Sequence, residues 1–174
     1  MRILVLSDSH GQRDQVLKIM ENVGADHVIH CGDVCTDGEE FEDTPITVVK
    51  GNCDWSPFPE ETIWEAEPLR ILVTHGHDYQ VKRTPIPLSY RCEEVGAQIA
   101  CFGHSHFPFC EKIGDVLLIN PGSISKPRGF SHSTYVVLNV NGNQAQVDYF
   151  GLDHRPFPDL NRSVSLLLDR NLKL

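Results

Sequence analysis

The sequence predicts an α/β fold built from two stacked β-sheets with helices on their outer faces. Three features carry that expectation. Short aliphatic runs alternate with a helix-period segment in the first third, the pattern of parallel βαβ units. The second half is rich in strand-like runs and closes on an Asn-Gly hairpin signal. The whole chain is 174 residues, 40% hydrophobic and 22% charged, about one domain's worth of globular sequence.

Ile3 to Leu6 is a continuous aliphatic run that stops at a polar loop, which reads as a buried strand. Residues 13 to 23 place Val16, Leu17, Met20 and Val23 at helical spacing, with Gly24 as the stop. His27 to Cys31 is the next strand and ends at Gly32-Asp33. Pro45 opens a third, Ile46 to Lys50, which ends at Gly51-Asn52. Further strands are expected at Thr62 to Glu65, Leu69 to Thr74, Gln98 to Phe102, Val116 to Asn120, Thr134 to Val140 and Gln144 to Phe150, and a helix between about Leu88 and Val95. The domain is taken as residues 1–152. Residues 153–174 form a C-terminal extension, with a short helix expected at Val164 to Leu172.

The charge sum is 15 basic against 24 acidic residues, a net of −9 with histidine neutral. Long nucleic acid and anionic membranes are disfavoured by that balance. Small anionic substrates are not, because bound cations reverse the sign inside a pocket. The six cysteines contain no CxxC pair. Cys31, Cys101 and Cys110 sit in apolar or alternating runs, where a free thiol behaves as a small hydrophobe. A reducing cytoplasm is the expected compartment. The apolar run at the start is too short for a signal peptide, and no run approaches the ~18 residues of a membrane span.

The polar residues at the strand ends carry the chemistry. Successive runs deliver Asp8-Ser9-His10, Gly32-Asp33, Gly51-Asn52-Cys53-Asp54, His75-Gly76-His77 and Gly103-His104-Ser105-His106. Any one of these is a bland loop by default; five in this order are not. Carboxylate, amide and imidazole donors form a set suited to manganese, iron, nickel, cobalt or zinc. The lack of a cysteine quartet argues against a structural zinc site. Seven potential ligands suffice for two ions, with one aspartate able to bridge them.

This ordered set resembles the calcineurin-like metallophosphoesterase superfamily, and most of all its small single-domain phosphodiesterase branch. The resemblance spans residues 1 to about 150 and includes Asn120-Pro121-Gly122-Ser123. It implies a four-layer αββα sandwich holding two divalent metal ions, Mn2+ first, with Ni2+, Fe2+, Co2+ or Zn2+ compatible. Carried over residue by residue, Asp8, His10 and His106 would hold one ion, and Asn52, His75 and His104 the other, with Asp33 bridging. The implied activity is hydrolysis of a small phosphate ester, a diester rather than a monoester, by a metal-bridging hydroxide. The alternative is a non-catalytic metal-binding scaffold subunit of the same fold; a homo-oligomer is left open.

Cys53 departs from most of the superfamily, which carries histidine after the asparagine. It is a candidate catalytic residue or a neutral filler. His77 is a candidate contact to substrate or a surface residue. Arg128 could reach a phosphate, although an exposed loop arginine is the default. His27 and His30 are expected to pack or to support the ligands from behind rather than to be ligands. Trp55, Phe58 and Trp64 are assigned to core or rim, and the acidic run Asp37 to Asp43 to a solvated helix face.

Overall fold

The computed structural model describes residues 1–168. In chain order the elements are β1 (Arg2–Leu6), α1 (Arg13–Val23), β2 (His27–His30), a 3-10 turn (Glu39–Phe41), β3 (Ile46–Val48), β4 (Glu61–Ala66), β5 (Leu69–Thr74) and α2 (Ile86–Glu94). They continue with β6 (Ile99–Cys101), β7 (Pro108–Ile113), β8 (Val116–Pro121), β9 (Thr134–Asn141), β10 (Gln144–Gly151), a second 3-10 turn (Pro158–Leu160) and β11 (Arg162–Ser165).

The strands form two sheets, ordered β11-β10-β9-β1-β2-β3 and β4-β5-β6-β8-β7. Alternation along each central strand explains how they stack. Ile3 and Val5 of β1 point into a shared layer with Ile71, Val73, Ile99 and Ile119 of the second sheet. Leu4 and Leu6 point the other way, under Val16 and Ile19 of α1. Leu72, Ala100 and Leu118 of the second sheet face Leu88 and Cys92 of α2. The central strands of each sheet are therefore buried on both faces, and the result is the expected αββα sandwich.

Two features of this topology build the site. β1, β2 and β3 run parallel in one sheet, and β5, β6 and β8 run parallel in the other. The loops that follow the ends of these strands carry every polar cluster singled out in the sequence, where ligands collect in open α/β sheets.

Four expectations need correction. β7 was not foreseen; it is an edge strand paired only with β8, and it starts on a proline. The extension does not begin a helix at Val164: Arg162–Ser165 pairs antiparallel with β10 and extends the first sheet. The remainder of that expected helix, from residue 169 onward, lies outside the described residues. The acidic run is not a helix face, because only a 3-10 turn forms and Glu40 is buried, accepting a hydrogen bond from the Thr36 hydroxyl (2.6 Å). Trp55 is not part of the core; it is 69% exposed. Phe58 and Trp64 do pack, against the α1-side and central layers. All six cysteines are free thiols.

Candidate metal centre

Asp8 stands just beyond β1, buried completely. Its Oδ2 accepts hydrogen bonds from the Ser7 hydroxyl (2.7 Å) and the His104 backbone N–H (3.1 Å). Its Oδ1 is also buried but has no hydrogen-bond partner, although His106 Nε2 lies 3.0 Å away. Leaving a buried carboxylate oxygen unpaired is costly. His10 Nε2 is orphaned in the same way, 3.7 Å from Asp33 Oδ2. Asp8, His10, Asp33 and His106 each offer a donor atom, all within 4.8 Å of one another. Such unsatisfied acceptors around one point are the pattern a cation resolves.

The tautomers sharpen this reading. A carbonyl oxygen only accepts, so the contact of His106 Nδ1 with Lys126 O (2.6 Å) requires the proton on Nδ1. The same holds for His75 Nδ1, which donates to Cys31 O (2.7 Å). Each ring then turns an Nε2 lone pair inward, the usual arrangement behind a metal-binding histidine. His75 Nε2 faces Asn52 Oδ1 at 3.2 Å, Asp33 Oδ2 at 3.5 Å and Asp8 Oδ1 at 3.9 Å. Three oxygens around one ring nitrogen call for positive charge there, from an ion or, without one, from a proton.

Asp33 sits between the two groups of histidines. Its Oδ1 accepts from the Cys53 backbone N–H (2.8 Å), while Oδ2 faces His10 on one side and His75 on the other. Burial opposes its ionisation, but His75 and the Cys53 hydrogen bond outweigh that and hold the carboxyl well below the usual carboxylate range. Burial likewise works against protonated His75, yet Asp33 and Asp8 prevail and raise its pKa. Burial lowers the pKa of His10 and, with His75 and Lys82 nearby, pushes His104 down to about 4. Both therefore present neutral rings at neutral pH. The His104 ring packs edge-on against His75 with centroids 5.1 Å apart, and His10 lies 5.2 Å from His106. All seven residues expected as ligands thus gather at one edge of the sandwich.

The backbone is bent to bring them there. Asp8, His10, Asp33, His104 and His106 all have positive φ, between 45° and 63°. Non-glycine residues are seldom held in this region unless their surroundings fix them. Glycines permit the close approach: a Cβ at Gly51 would lie 2.1 Å from Asp33 Oδ1, and one at Gly103 1.9 Å from Ser7 Oγ.

The carboxylates and imidazoles are also braced by residues whose role the sequence did not disclose. Ser123 and Ser125 hydroxyls donate to Asp8 O (2.9 and 3.1 Å). Asp54 accepts from the backbone N–H groups of Gly51 and Cys35, tying two loops together. His30 is fully buried, with Nδ1 accepting from Gly32 N–H (3.2 Å) and Nε2 meeting Ser9 Oγ (3.0 Å). It packs, as expected, while stitching the loop after β1 to the loop after β2. The local Asp-Ser-His and His-Cys-Gly-Asp words hinted at these places, but the long-range partners are set only by the fold.

Residues 1–143 match the calcineurin-like phosphoesterase superfamily domain. The chain belongs to that superfamily. It is 38% identical over 169 residues to a Bacillus subtilis protein named probable metallophosphoesterase YsnB, covering 95% of this chain and 100% of that one. It is 27% identical over 168 residues to the Escherichia coli K12 phosphodiesterase YfcE, covering 80% and 88% respectively. Among solved structures, a Streptococcus pneumoniae protein described as a predicted phosphoesterase superposes with a TM-score of 0.87 at 35% identity, covering 94% of this chain and 97% of that one. Vps29 of Entamoeba histolytica, crystallised with zinc, shares the fold at a TM-score of 0.75 and 19% identity, over 95% and 99% of the two chains.

In this phosphoesterase Cys53 and His77 lie at the rim of the donor cluster. The Cys53 side chain is exposed, and its Sγ accepts from Asn52 Nδ2 (3.4 Å). Burial and the nearby Asp33 raise its pKa, so it is a neutral thiol at neutral pH. His77 is half-buried, 3.6 Å from Asp78, with its ring 6.0 Å from that of His104. Arg128 is exposed; its backbone N–H, not its guanidinium, touches the centre by donating to His106 O (3.1 Å). Among the described residues no helix is long and apolar enough to cross a membrane.

Proposed function

We propose that this metallophosphoesterase uses two divalent ions, Mn2+ foremost, to hydrolyse a small phosphodiester. Asp8, His10 and His106 would hold one ion, Asn52, His75 and His104 the other, and Asp33 Oδ2 would be shared. The observation that carries the reading is the pair of buried, partnerless acceptors, Asp8 Oδ1 and His10 Nε2, inside a convergent donor set. When bound, the ions supply the charge that polarises the phosphoryl oxygens and acidifies a water for attack.

The chain's own residues fix the geometry for that chemistry. Lys126 O and Cys31 O hold the tautomers of His106 and His75, so both rings bind through Nε2. Ser7 and the His104 N–H occupy Asp8 Oδ2 and leave only Oδ1 to coordinate. Cys53 N–H does the same for Asp33 Oδ1. Cys53, a neutral thiol, stands where the superfamily pattern has histidine, so the usual imidazole donor to the leaving group is missing at that place. A diester with a good leaving group suits such a site, and the YfcE name supports the diester preference.

The scaffold reading draws on the Vps29 likeness, which at this identity speaks for the fold alone. All seven donor positions here hold competent ligands, and that favours the enzyme. The test is hydrolysis of bis(4-nitrophenyl) phosphate and 4-nitrophenyl phosphate by metal-stripped protein reloaded with each ion. Metal-dependent turnover favouring the diester is expected. Full metal loading without turnover on either ester would overturn the proposal.

A further inference from the structure

We infer that a pocket beside His104 seats an aromatic ring carried on one arm of the substrate ester, an inference that rests on the phosphoesterase reading above. The cavity holds about 330 Å³ and is walled by Val81, Pro85, Phe102, Phe107 and Phe109, with Lys82 at its edge. That is the lower end of the ~300–1,000 Å³ typical of small-ligand sites. It accommodates a substituted phenyl ring.

The pocket is walled by residues that flank the metal-centre histidines in the chain. Phe102 immediately precedes Gly103-His104, and Ser105, which also lines the cavity, lies between His104 and His106. Val81 and Lys82 belong to the loop that leaves His75-Gly76-His77. An ester held beside His104 and His106 would lie next to the segments, Phe102 and Ser105 to Phe107, that wall this space.

The lining also selects the kind of arm. Phe102 and Phe109 meet edge-to-face with centroids 6.1 Å apart, and Phe107 leaves 43% of its surface open. Aromatic walls of this kind favour a further ring in offset or edge contact. Among the described residues Lys82 has no ion-pair partner. An ammonium over the face of a bound ring gains a cation–π contact that an aliphatic group of the same size does not offer. In a chain of net charge −9, this lysine also favours the approach of an anionic ester.

The experiment measures calorimetric affinities of methyl-, cyclohexyl- and phenylphosphonate for the full Mn2+-loaded chain. Their P–C bonds resist hydrolysis, so the probes report binding alone. Phenylphosphonate should bind at least about tenfold tighter than methylphosphonate, a difference of ~1.4 kcal/mol, and about threefold tighter than cyclohexylphosphonate. Phe107→Ala should shrink the phenyl-to-methyl ratio at least threefold. Lys82→Ala, at an exposed position where folding is not at stake, should narrow the phenyl-over-cyclohexyl preference. Methylphosphonate binding with no gain from the ring overturns the pocket assignment and leaves the phosphoesterase reading standing. Equal cyclohexyl and phenyl affinities overturn the aromatic choice. Failure of every phosphonate to bind, together with no ester hydrolysis, overturns the phosphoesterase reading and the pocket with it.

Discussion

His30 links the stability of the metal-free protein to pH, and the size of the effect follows from its surroundings. The ring is fully buried, and burial, only partly offset by Asp54 and Asp8, lowers its pKa to about 4 from the ordinary 6.5. Because the folded-state value is depressed, the unfolded chain binds the proton more readily. His30's contribution is thus fully present above pH 6.5 and is lost as pH falls from there toward 4. Between pH 7.5 and 5.0 the linkage integral amounts to about 2 kcal/mol. His30→Gln keeps a donor and an acceptor for Ser9 and Gly32 but cannot titrate. Urea unfolding of both proteins in chelator, at the two pH values, isolates the term, because the other histidines and carboxylates are common to both. Wild type should lose about 2 kcal/mol more than His30→Gln on acidification. Equal losses would refute the claim that a neutral, buried His30 holds the loops of Asp8 and Asp33 together.

Other perturbations act on the centre itself. Gly51→Ala places a Cβ 2.1 Å from Asp33 Oδ1, so Asp33 must shift; a cost of ~1–3 kcal/mol, as for overpacking, and weakened Mn2+ binding by calorimetry are expected. Cys53→Ala should retain both ions and keep turnover within about tenfold, ~1.4 kcal/mol of barrier, because the two ions supply most of the transition-state stabilisation; a thousandfold loss with metals bound would contradict this. Mn2+ affinity should fall as pH drops toward 5, since His75, its pKa raised by Asp33 and Asp8 against the effect of burial, takes up a proton in place of the ion. Affinity that stays constant across that range would remove His75 from the ligand set.

The site was more legible in the sequence than the edges of the fold. Segments such as Ile3–Leu6 and Ile71–Val73 are buried on both faces, so they appear as unbroken apolar runs that give way to Ser7-Asp8 and Thr74-His75. Edge strands carry no such signature. β7 mixes Glu111 and Lys112 with its apolar residues and opens on Pro108, and β11 is a mostly exposed Arg-Ser-Val-Ser. The apolar run from Val164 looked helical because pairing with β10 is invisible in local pattern. At the centre, residue types and order pointed to the donors. The braces did not show, because a tautomer set by Lys126 O or an oxygen occupied by Ser7 depends on residues brought together from distant segments.

The shared position of Asp33 is the central claim, and electron paramagnetic resonance of the Mn2+-titrated protein tests it most directly. Two ions bridged by one carboxylate should give a stoichiometry of two per chain and an exchange-coupled multiline spectrum. Asp33→Asn should abolish that spectrum along with diester hydrolysis. A wild-type protein that binds a single ion, or two that give only the six-line signal of isolated Mn2+, would contradict the account.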